Sequence, residues 1–190
     1  TLFRSGYAES TDGATMKRLD SPVLFPGGDE FESIECPGGC EDPRVAMTED
    51  GLYVMLYTAW NRKTPRLAVA TSKDMKNWTK HGLAFEKAYD GRFARIATKS
   101  ASMLTKVKGG KLVIDKVDGK YFMYWGEYAV HAATSHNLTD WYPVLDKNNG
   151  LLEIAKPRNG YFDSQMTECG PPAIRTKQGI VLMYNGKNDK

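Results

Sequence analysis

Three short hydrophobic runs, each preceded by a polar residue and a glycine, divide the chain into similar segments. They cover residues 52–57, 121–125 and 180–184 and are rich in β-branched, aromatic and methionine side chains. Runs of this length and composition are typical of buried β-strands. The preceding glycines, Gly51, Gly119 and Gly179, are 68 and 60 residues apart and suit turns that need a positive φ. The pattern therefore predicts a repeated strand.

A second segment repeats in phase with the first. Residues 70–78 read Ala-Thr-Ser-Lys-Asp-Met-Lys-Asn-Trp, and residues 133–141 read Ala-Thr-Ser-His-Asn-Leu-Thr-Asp-Trp, 63 residues later. Residues 67–72 predict a further strand, and residues 72–78 predict a polar turn rather than a helix, because no stretch shows helical periodicity over three turns. Trp78 and Trp141 recur at the same place, which indicates a structural role. A third signal pairs residues 42–45 with residues 170–174, 128 residues later.

Several strands in each repeat of about 64 residues predict an all-β chain of propeller blades with long loops. The blades of WD40 proteins are shorter, at about 40–45 residues, so that subtype is not favoured. A β-sandwich with coincidental internal similarity is the alternative. The 190 residues make about three blades, whereas propellers typically have four to eight. We therefore expect residues 1–190 to be one partial propeller domain of a longer protein, whose open edges favour pairing with another copy.

Composition excludes several classes of function. Hydrophobic residues make up 41% and charged residues 26% of the chain, which is typical of a soluble globular protein. The net charge is +3, from 26 basic and 23 acidic residues, so neither a polyanion nor a nucleic acid is indicated as a partner. No apolar run approaches the roughly 18 residues of a membrane span, and no signal peptide is visible. No membrane partner is therefore predicted.

The cysteine and histidine residues do not predict a metal site or any other cofactor. The three cysteines form neither a disulfide framework nor a zinc motif, and the three histidines lack ligand spacing. Small buried packing residues are the better interpretation of the cysteines. The residues concerned are Cys36, Cys40, Cys169, His81, His131 and His136.

Three carboxylates stand out because glycine, proline or aromatic residues flank them: Asp42, Glu127 and Glu168. The phase of the repeat places each at the inner or connecting edge of a blade, so we expect acids from different blades to converge on one axial pocket. That arrangement lets an acid and a base act on opposite sides of one bond. The alternative is that each is an ordinary turn or surface carboxylate. Trp60 and Trp125 lie at strand ends beside polar residues, where an aromatic face suits a sugar.

Four segments together resemble glycoside hydrolase family 130: residues 39–45, 57–61, 168–174 and 184–186. The resemblance implies a five-bladed β-propeller that acts on β-mannosides with inversion, and a family that contains both phosphorylases and β-1,2-mannosidases. Phosphorylases of the family carry basic and histidine residues for phosphate where this chain has residues 98–103 and 124–127. Glu127 there is unfavourable for a phosphate dianion but suited to activating water. The chain is thus similar to the mannosidase branch.

The resemblance also implies roles for individual residues. Asp42 matches the general acid, whose proton is thought to pass through a hydroxyl of the bound mannose. Glu127 and Glu168 match the positions that activate water, with the choice between them open. Cys169 departs from the proline more usual after the glutamate, which bears on loop shape. The positions that match holders of sugar hydroxyls are Arg44, Asn61, Lys99 and Asp163, and Arg66 either serves likewise or is a surface residue.

The resemblance implies a small carbohydrate as partner and no cofactor. Hydrolysis of β-1,2-linked mannosides is the first hypothesis. A mannoside phosphorylase is the second, and a non-catalytic sugar-binding propeller is the third.

Overall fold

A computed structural model describes residues 2–189, which form an almost entirely β structure. In these residues the elements are β1 (Ala8–Glu9), β2 (Lys17–Arg18), α1 (Glu32–Glu35), β3 (Gly39–Met47), β4 (Tyr53–Trp60), β5 (Pro65–Ser72), β6 (Thr79–Leu83), β7 (Ala101–Lys108), β8 (Lys111–Ile114), β9 (Lys116–Val117), β10 (Lys120–Trp125), β11 (Val130–Ser135), β12 (Trp141–Pro143), β13 (Glu153–Ala155), β14 (Met166–Cys169), β15 (Ala173–Thr176), β16 (Gly179–Val181) and β17 (Tyr184–Lys187). No helix within the described residues is long and apolar enough to cross a membrane.

The first unit is a four-stranded antiparallel meander in the order β3-β4-β5-β6. Strands β4 and β5 pair along their whole length, from Tyr53 opposite Ser72 to Trp60 opposite Pro65. Both faces of this pair are covered, which is why their sequences read as continuous apolar runs rather than as an alternation. The strands predicted at residues 52–57 and 67–72 are confirmed.

The second unit repeats the same antiparallel order with β7, β10, β11 and β12. Short strands β8 and β9 lie between β7 and β10 in the sequence. The strand predicted at residues 121–125 is confirmed as part of β10.

The third unit contains β14 to β17, where β14 pairs with β17 and β15 pairs with β16. The sequence predicts one strand at residues 180–184, but β16 ends at Val181 and β17 begins at Tyr184. The opposing strand is interrupted at the same level by Gly170, Pro171 and Pro172. Proline has no amide hydrogen to donate to a sheet, so the pairing breaks on both sides.

Most of the hydrophobic core lies between the first two units. Val54, Leu56 and Val69 of the first unit pack with Met103 and Met123 of the second, and all five are buried. A smaller cluster on the other face of the first unit joins Tyr57 and its neighbours to the segment that precedes β3. The successive meanders on a curled sheet give a propeller-like arrangement.

The repeated Ala-Thr-Ser…Trp segment forms the same turn twice. Ser72 Oγ accepts hydrogen bonds from the backbone of residues 74 and 75, and Ser135 Oγ accepts them from residues 137 and 138. Each turn ends with a tryptophan whose indole N–H donates to the carbonyl three residues earlier, at 2.9 Å for Trp78 and 2.8 Å for Trp141. The predicted turn and the structural role of both tryptophans are confirmed.

We predict that Trp141→Ala destabilises the protein far more than Trp78→Ala. Trp141 is fully buried in the main core, whereas Trp78 is partly buried at the edge of the smaller cluster. Loss of a fully buried tryptophan costs about 3–5 kcal/mol. Urea unfolding of both variants measures the difference, and equal losses would contradict the burial that separates the two copies of the turn.

Candidate active site

Lys99, Glu127 and Glu168 come together although they lie far apart in the sequence. Lys99 Nζ is 3.5 Å from Glu127 Oε1 and 3.8 Å from Glu168 Oε1. Lys99 lies just before β7, Glu127 follows β10, and Glu168 belongs to β14 of the third unit. Carboxylates from two units therefore share one ammonium group.

Hydrogen bonds between backbone groups fix the three segments that carry these side chains. The Gly126 amide donates to the Ser100 carbonyl at 3.0 Å, and the Cys169 amide donates to the Gly126 carbonyl at 3.3 Å. Arg44 Nη2 of β3 donates to the Cys169 carbonyl at 2.9 Å. Ser100, Gly126 and Cys169 are the sequence neighbours of Lys99, Glu127 and Glu168. These hydrogen bonds therefore set the relative positions of the three charged side chains.

Left-handed backbone conformations cluster in the same place. Non-glycine residues Asp42, Ser100 and Tyr128 have φ values of 49°, 58° and 76°, and Gly126 has a φ of 121°. Such conformations are unfavourable for residues with a Cβ atom and persist only where the surroundings enforce them, often at functional sites. The side chains beside these residues are therefore aimed by a constrained backbone.

Glu168 is held by more hydrogen bonds than Glu127. Ser100 Oγ donates to Glu168 Oε1 at 2.6 Å, and Asn185 Nδ2 lies 3.4 Å from Oε2. In the described part of the chain, Glu127 is paired with Lys99 alone. Glu168 is thus fixed on both oxygens, whereas Glu127 keeps an oxygen free for another partner.

Asp42 lies in β3 at an irregularity in strand pairing between Glu41 and Arg44. Such a bulge re-aims side chains at the edge of a sheet. Burial opposes the charge of Lys99, but the carboxylates of Glu127, Glu168 and Asp42 outweigh it and raise the pKa of the Lys99 ammonium. Asp42 is therefore within electrostatic reach of Lys99.

Glu41 adds a fourth carboxyl group. Burial and the neighbouring Asp42 raise the pKa of the Glu41 carboxyl group, and Lys99 opposes this rise. The Glu41 carboxyl group therefore lies in the field of the same charges.

Two residues predicted to hold sugar hydroxyls are engaged within the protein. Asn61 Oδ1 accepts from the amides of Lys63 and Thr64 at 3.1 and 3.0 Å, as in a turn. The Asp163 carboxylate is 1% exposed and accepts hydrogen bonds from the Arg158 guanidinium and the Tyr184 hydroxyl. Burial opposes ionisation of Asp163, but these two bonds outweigh it and lower the pKa of its carboxyl group. Their partners give both side chains a structural explanation.

Arg66, for which the sequence allows either a sugar contact or a surface position, is partly buried, and its Nε atom is buried with no hydrogen-bond partner in the described residues. It is therefore not an ordinary surface residue.

The suggestion that Trp125 offers an aromatic face to a ligand is wrong. Its indole is 2% exposed, donates to the Ala132 carbonyl and packs against Phe85 with ring centroids 4.7 Å apart. Trp60 is partly buried, and its side chain covers Gly38 so closely that any Cβ there would collide with it. A strand-end position thus did not reveal which tryptophans face solvent.

Sequence reasoning missed Ser100 and Asn185, the two side chains that bind Glu168. Asn185 lies within the segment that carried the family resemblance, whereas the signal for Ser100 was only its place beside Lys99. The cysteines are free thiols, with Cys36 partly buried and Cys40 and Cys169 buried. Burial raises the pKa of the Cys169 thiol to about 12, which leaves it protonated and inert at neutral pH.

Comparison with known proteins finds similarity to proteins that are described as acting on mannosides. The profile of the glycoside hydrolase 130 family, described as beta-1,4-mannooligosaccharide phosphorylase, matches residues 1–190. A 1,2-beta-oligomannan phosphorylase from Thermoanaerobacter sp. (strain X514) is 31% identical over 99% of this chain and 54% of its own length.

Two solved structures are more similar. One, from Bacteroides ovatus ATCC 8483 and described as a candidate glycoside hydrolase, has a TM-score of 0.96 and 73% identity over 98% of this chain and 55% of that chain. The other comes from work that describes GH130 as a family of mannoside phosphorylases containing glycoside hydrolases that target beta-1,2 mannosidic linkages in Candida mannan. It has a TM-score of 0.97 and 58% identity over 99% of this chain and 52% of that chain. The chain thus spans about half the length of the relatives it matches.

We predict that Gly126→Ala destabilises the protein by about 2–4 kcal/mol, because its Cβ would collide with the Ala129 carbonyl in a backbone region that L-residues avoid. Gly119→Ala is the matched control. Gly119 also has a positive φ, of 77°, but nothing lies within 4 Å of the added atom, so we expect a loss of about 1 kcal/mol. Denaturant unfolding measures both, and equal losses would show that Gly126 is not sterically required.

Proposed function

The chain belongs to glycoside hydrolase family 130. From this premise we propose that the chain is part of an inverting glycosidase. The substrates of this enzyme are β-mannosides, specifically β-1,2-linked manno-oligosaccharides. The observation that carries the proposal is the meeting of Glu127 and Glu168 around Lys99, with Asp42 in electrostatic reach. Acids on opposite sides of a glycosidic bond are what inversion needs.

The balance of charge favours water over phosphate as the second substrate. Four carboxylates, Glu41, Asp42, Glu127 and Glu168, act on the same region as the cations Lys99 and Arg44. Lys99 is already shared by two of these carboxylates, and Arg44 already donates to a backbone carbonyl. A phosphate dianion would add negative charge to a partly buried site where repulsion is weakly screened. A neutral water molecule meets no such penalty.

Similarity to known proteins supports the same choice. The solved structure from the work on glycoside hydrolases within the GH130 family of mannoside phosphorylases is 58% identical to this chain, whereas the oligomannan phosphorylase is 31% identical. The phosphorylase relative and the description of the family keep phosphorolysis as the alternative.

We assign the general base to Glu127 on the basis of hydrogen bonding. Both oxygens of Glu168 have partners in the protein, whereas Glu127 has Lys99 alone among the described residues. Glu127 can therefore accept a proton from water, while Glu168 and Lys99 orient it. The water attacks the anomeric carbon from the face opposite the leaving group, and the bond to the glycosidic oxygen breaks. Asp42 supplies the proton for that oxygen through a mannose hydroxyl.

In the proposed architecture the repeated units are blades of a five-bladed propeller, and this chain contributes about three of them. The repeated meanders and the relatives of about twice this length support the proposal. Convergence of acids from separate units on one axis follows from such an arrangement. Of the residues proposed to hold sugar hydroxyls, Arg44 and Lys99 lie next to the acidic side chains of the proposed site. Arg44 donates to the Cys169 carbonyl, and Lys99 lies beside Glu127 and Glu168.

We expect Asp42→Asn and Glu127→Gln each to lower turnover of a β-1,2-mannobiose by at least about 10²-fold, since a general acid or base contributes roughly 10²–10⁴-fold. Asp118→Asn is the control, because Asp118 is an exposed turn residue with a φ of 48° that asparagine tolerates. Steady-state kinetics with a thermal melt for each variant tests this. Wild-type turnover in both site variants would refute the assignment.

We also expect turnover to be independent of phosphate and to release α-mannose first, because water attacks with inversion. Proton NMR of the reaction with and without inorganic phosphate follows the anomer directly. Formation of mannose 1-phosphate only when phosphate is present would establish the phosphorylase instead. Tight binding of the mannoside with no turnover would favour a sugar-binding role.

A further inference from the structure

The strand segment that carries Asp42 is set by the residue opposite it rather than by its own packing. Between Glu41 and Arg44 the pairing of β3 with β4 shifts register, so that Asp42 and Pro43 of β3 both lie opposite the single residue Tyr57 of β4. Two residues against one is the arrangement of a β-bulge. Both bulge residues are exposed, so burial of their side chains does not hold the backbone there. Its conformation therefore depends on β4.

The side chain of Tyr57 is anchored in the core of the first unit. Tyr57 is 1% exposed, and its hydroxyl donates a hydrogen bond to Glu35 Oε1 at 2.7 Å. Burial and the charge of Glu35 raise the pKa of the Tyr57 hydroxyl, so the hydroxyl keeps its proton and remains a donor. Cys40, two residues before Asp42, packs in the same buried cluster as Tyr57. The anchored side chain thus lies in a cluster shared by both strands of the bulge.

Glu35 is in turn held by a buried ion pair. Its side chain is fully buried, and Lys80 Nζ of β6 lies 2.6 Å from Glu35 Oε2. Lys80 Nζ is also 2.8 Å from Asp29 Oδ2. Burial opposes the charge of Lys80, but its hydrogen bonds with Asp29 and Glu35 outweigh burial and raise the pKa of the ammonium group. A chain of polar contacts therefore runs from the last strand of the first unit to the residue opposite Asp42.

Stability alone is a weak explanation for this ion pair. The cost of taking two charges out of water can exceed their attraction, and apolar side chains of similar size often serve a core equally well. A charged acceptor does supply a short hydrogen bond of fixed direction, which an apolar contact does not. Such a bond suits Tyr57, because the residue opposite it, Asp42, has a left-handed φ of 49° that its surroundings must enforce.

We propose that Glu35 and Tyr57 are positioning residues for Asp42. Their hydrogen bond holds β4 opposite the bulge and so fixes the backbone that aims the Asp42 carboxyl group. The inference rests on the proposed function for the role of Asp42 as the general acid. Catalytic efficiency falls steeply when a reacting group is displaced, so loss of the Tyr57 hydroxyl impairs proton donation more than sugar binding.

Steady-state kinetics of Tyr57→Phe with two substrates tests the proposal. β-1,2-Mannobiose needs a proton on its leaving group, whereas 2,4-dinitrophenyl β-mannoside releases a phenolate that leaves without one. For mannobiose we expect kcat to fall at least about tenfold with KM unchanged, because a misplacement of about 1 Å can cost about 10²-fold. For the dinitrophenyl substrate we expect kcat within about twofold of wild type. We expect the same preference in Glu35→Gln, which keeps the shape of the side chain but weakens the charge-assisted bond.

Tyr89→Phe is the matched control. It also removes one tyrosine hydroxyl, which donates to the Pro143 carbonyl of β12 at 2.9 Å, and we expect wild-type rates with both substrates. Hydrogen–deuterium exchange of peptides covering residues 38–45 adds a measurement that does not depend on turnover. We expect faster exchange there in Tyr57→Phe and wild-type exchange in Tyr89→Phe.

The outcomes separate this inference from the proposed function. A kcat loss that is equal for both substrates, or no loss, overturns the positioning role even where wild-type protein hydrolyses mannobiose. Wild-type protein that hydrolyses neither substrate refutes the proposed function, and exchange then decides: faster exchange at residues 38–45 in Tyr57→Phe supports the positioning of the bulge, and unchanged exchange overturns it. Thermal melts show whether each variant folds, and Glu35→Gln decides if Tyr57→Phe does not.

Discussion

The Lys99 ammonium allows two carboxylates to share one small region. Glu127 and Glu168 come from different units of the fold, and each lies within 4 Å of Lys99 Nζ. Without a cation between them, neighbouring carboxylates repel, and protonation of one would be favoured. The Lys99 ammonium offsets this repulsion, because its Nζ atom lies close to both carboxylates. The chemistry proposed for this protein depends on that one charge.

A rigid backbone keeps these charges at their separations. The chain of hydrogen bonds through Ser100, Gly126 and Cys169 links three segments, and Arg44 ties the first unit to the same network. The left-handed conformation at Ser100 is the cost of this arrangement. The fully buried core between the first two units offsets it. Stability in the sheets thus permits strain at the strand ends, where the candidate active site lies.

The repeated segments of the sequence predicted the repeated strands and turns of the structure. Strands β4, β5 and β10 and both serine–tryptophan turns follow from local composition, since apolar runs and hydrogen-bonding side chains act over a few residues. The prediction failed where contacts are distant. The strand at residues 180–184 is interrupted opposite prolines on its partner, and Trp125 is buried against Phe85, which is distant in the sequence. Neither partner can be read from the neighbouring residues.

The sequence by itself determined that the chain is all-β, that its units repeat, and that its acidic motifs resemble those of one enzyme family. Hydrophobic periodicity and turn chemistry depend on neighbouring residues, so the amino-acid sequence alone reveals them. Only the tertiary structure decided that Lys99 lies between Glu127 and Glu168 and that Ser100 and Asn185 fix Glu168. Those contacts depend on how separate units pack, because side chains tens of residues apart meet only when the sheets that carry them have formed.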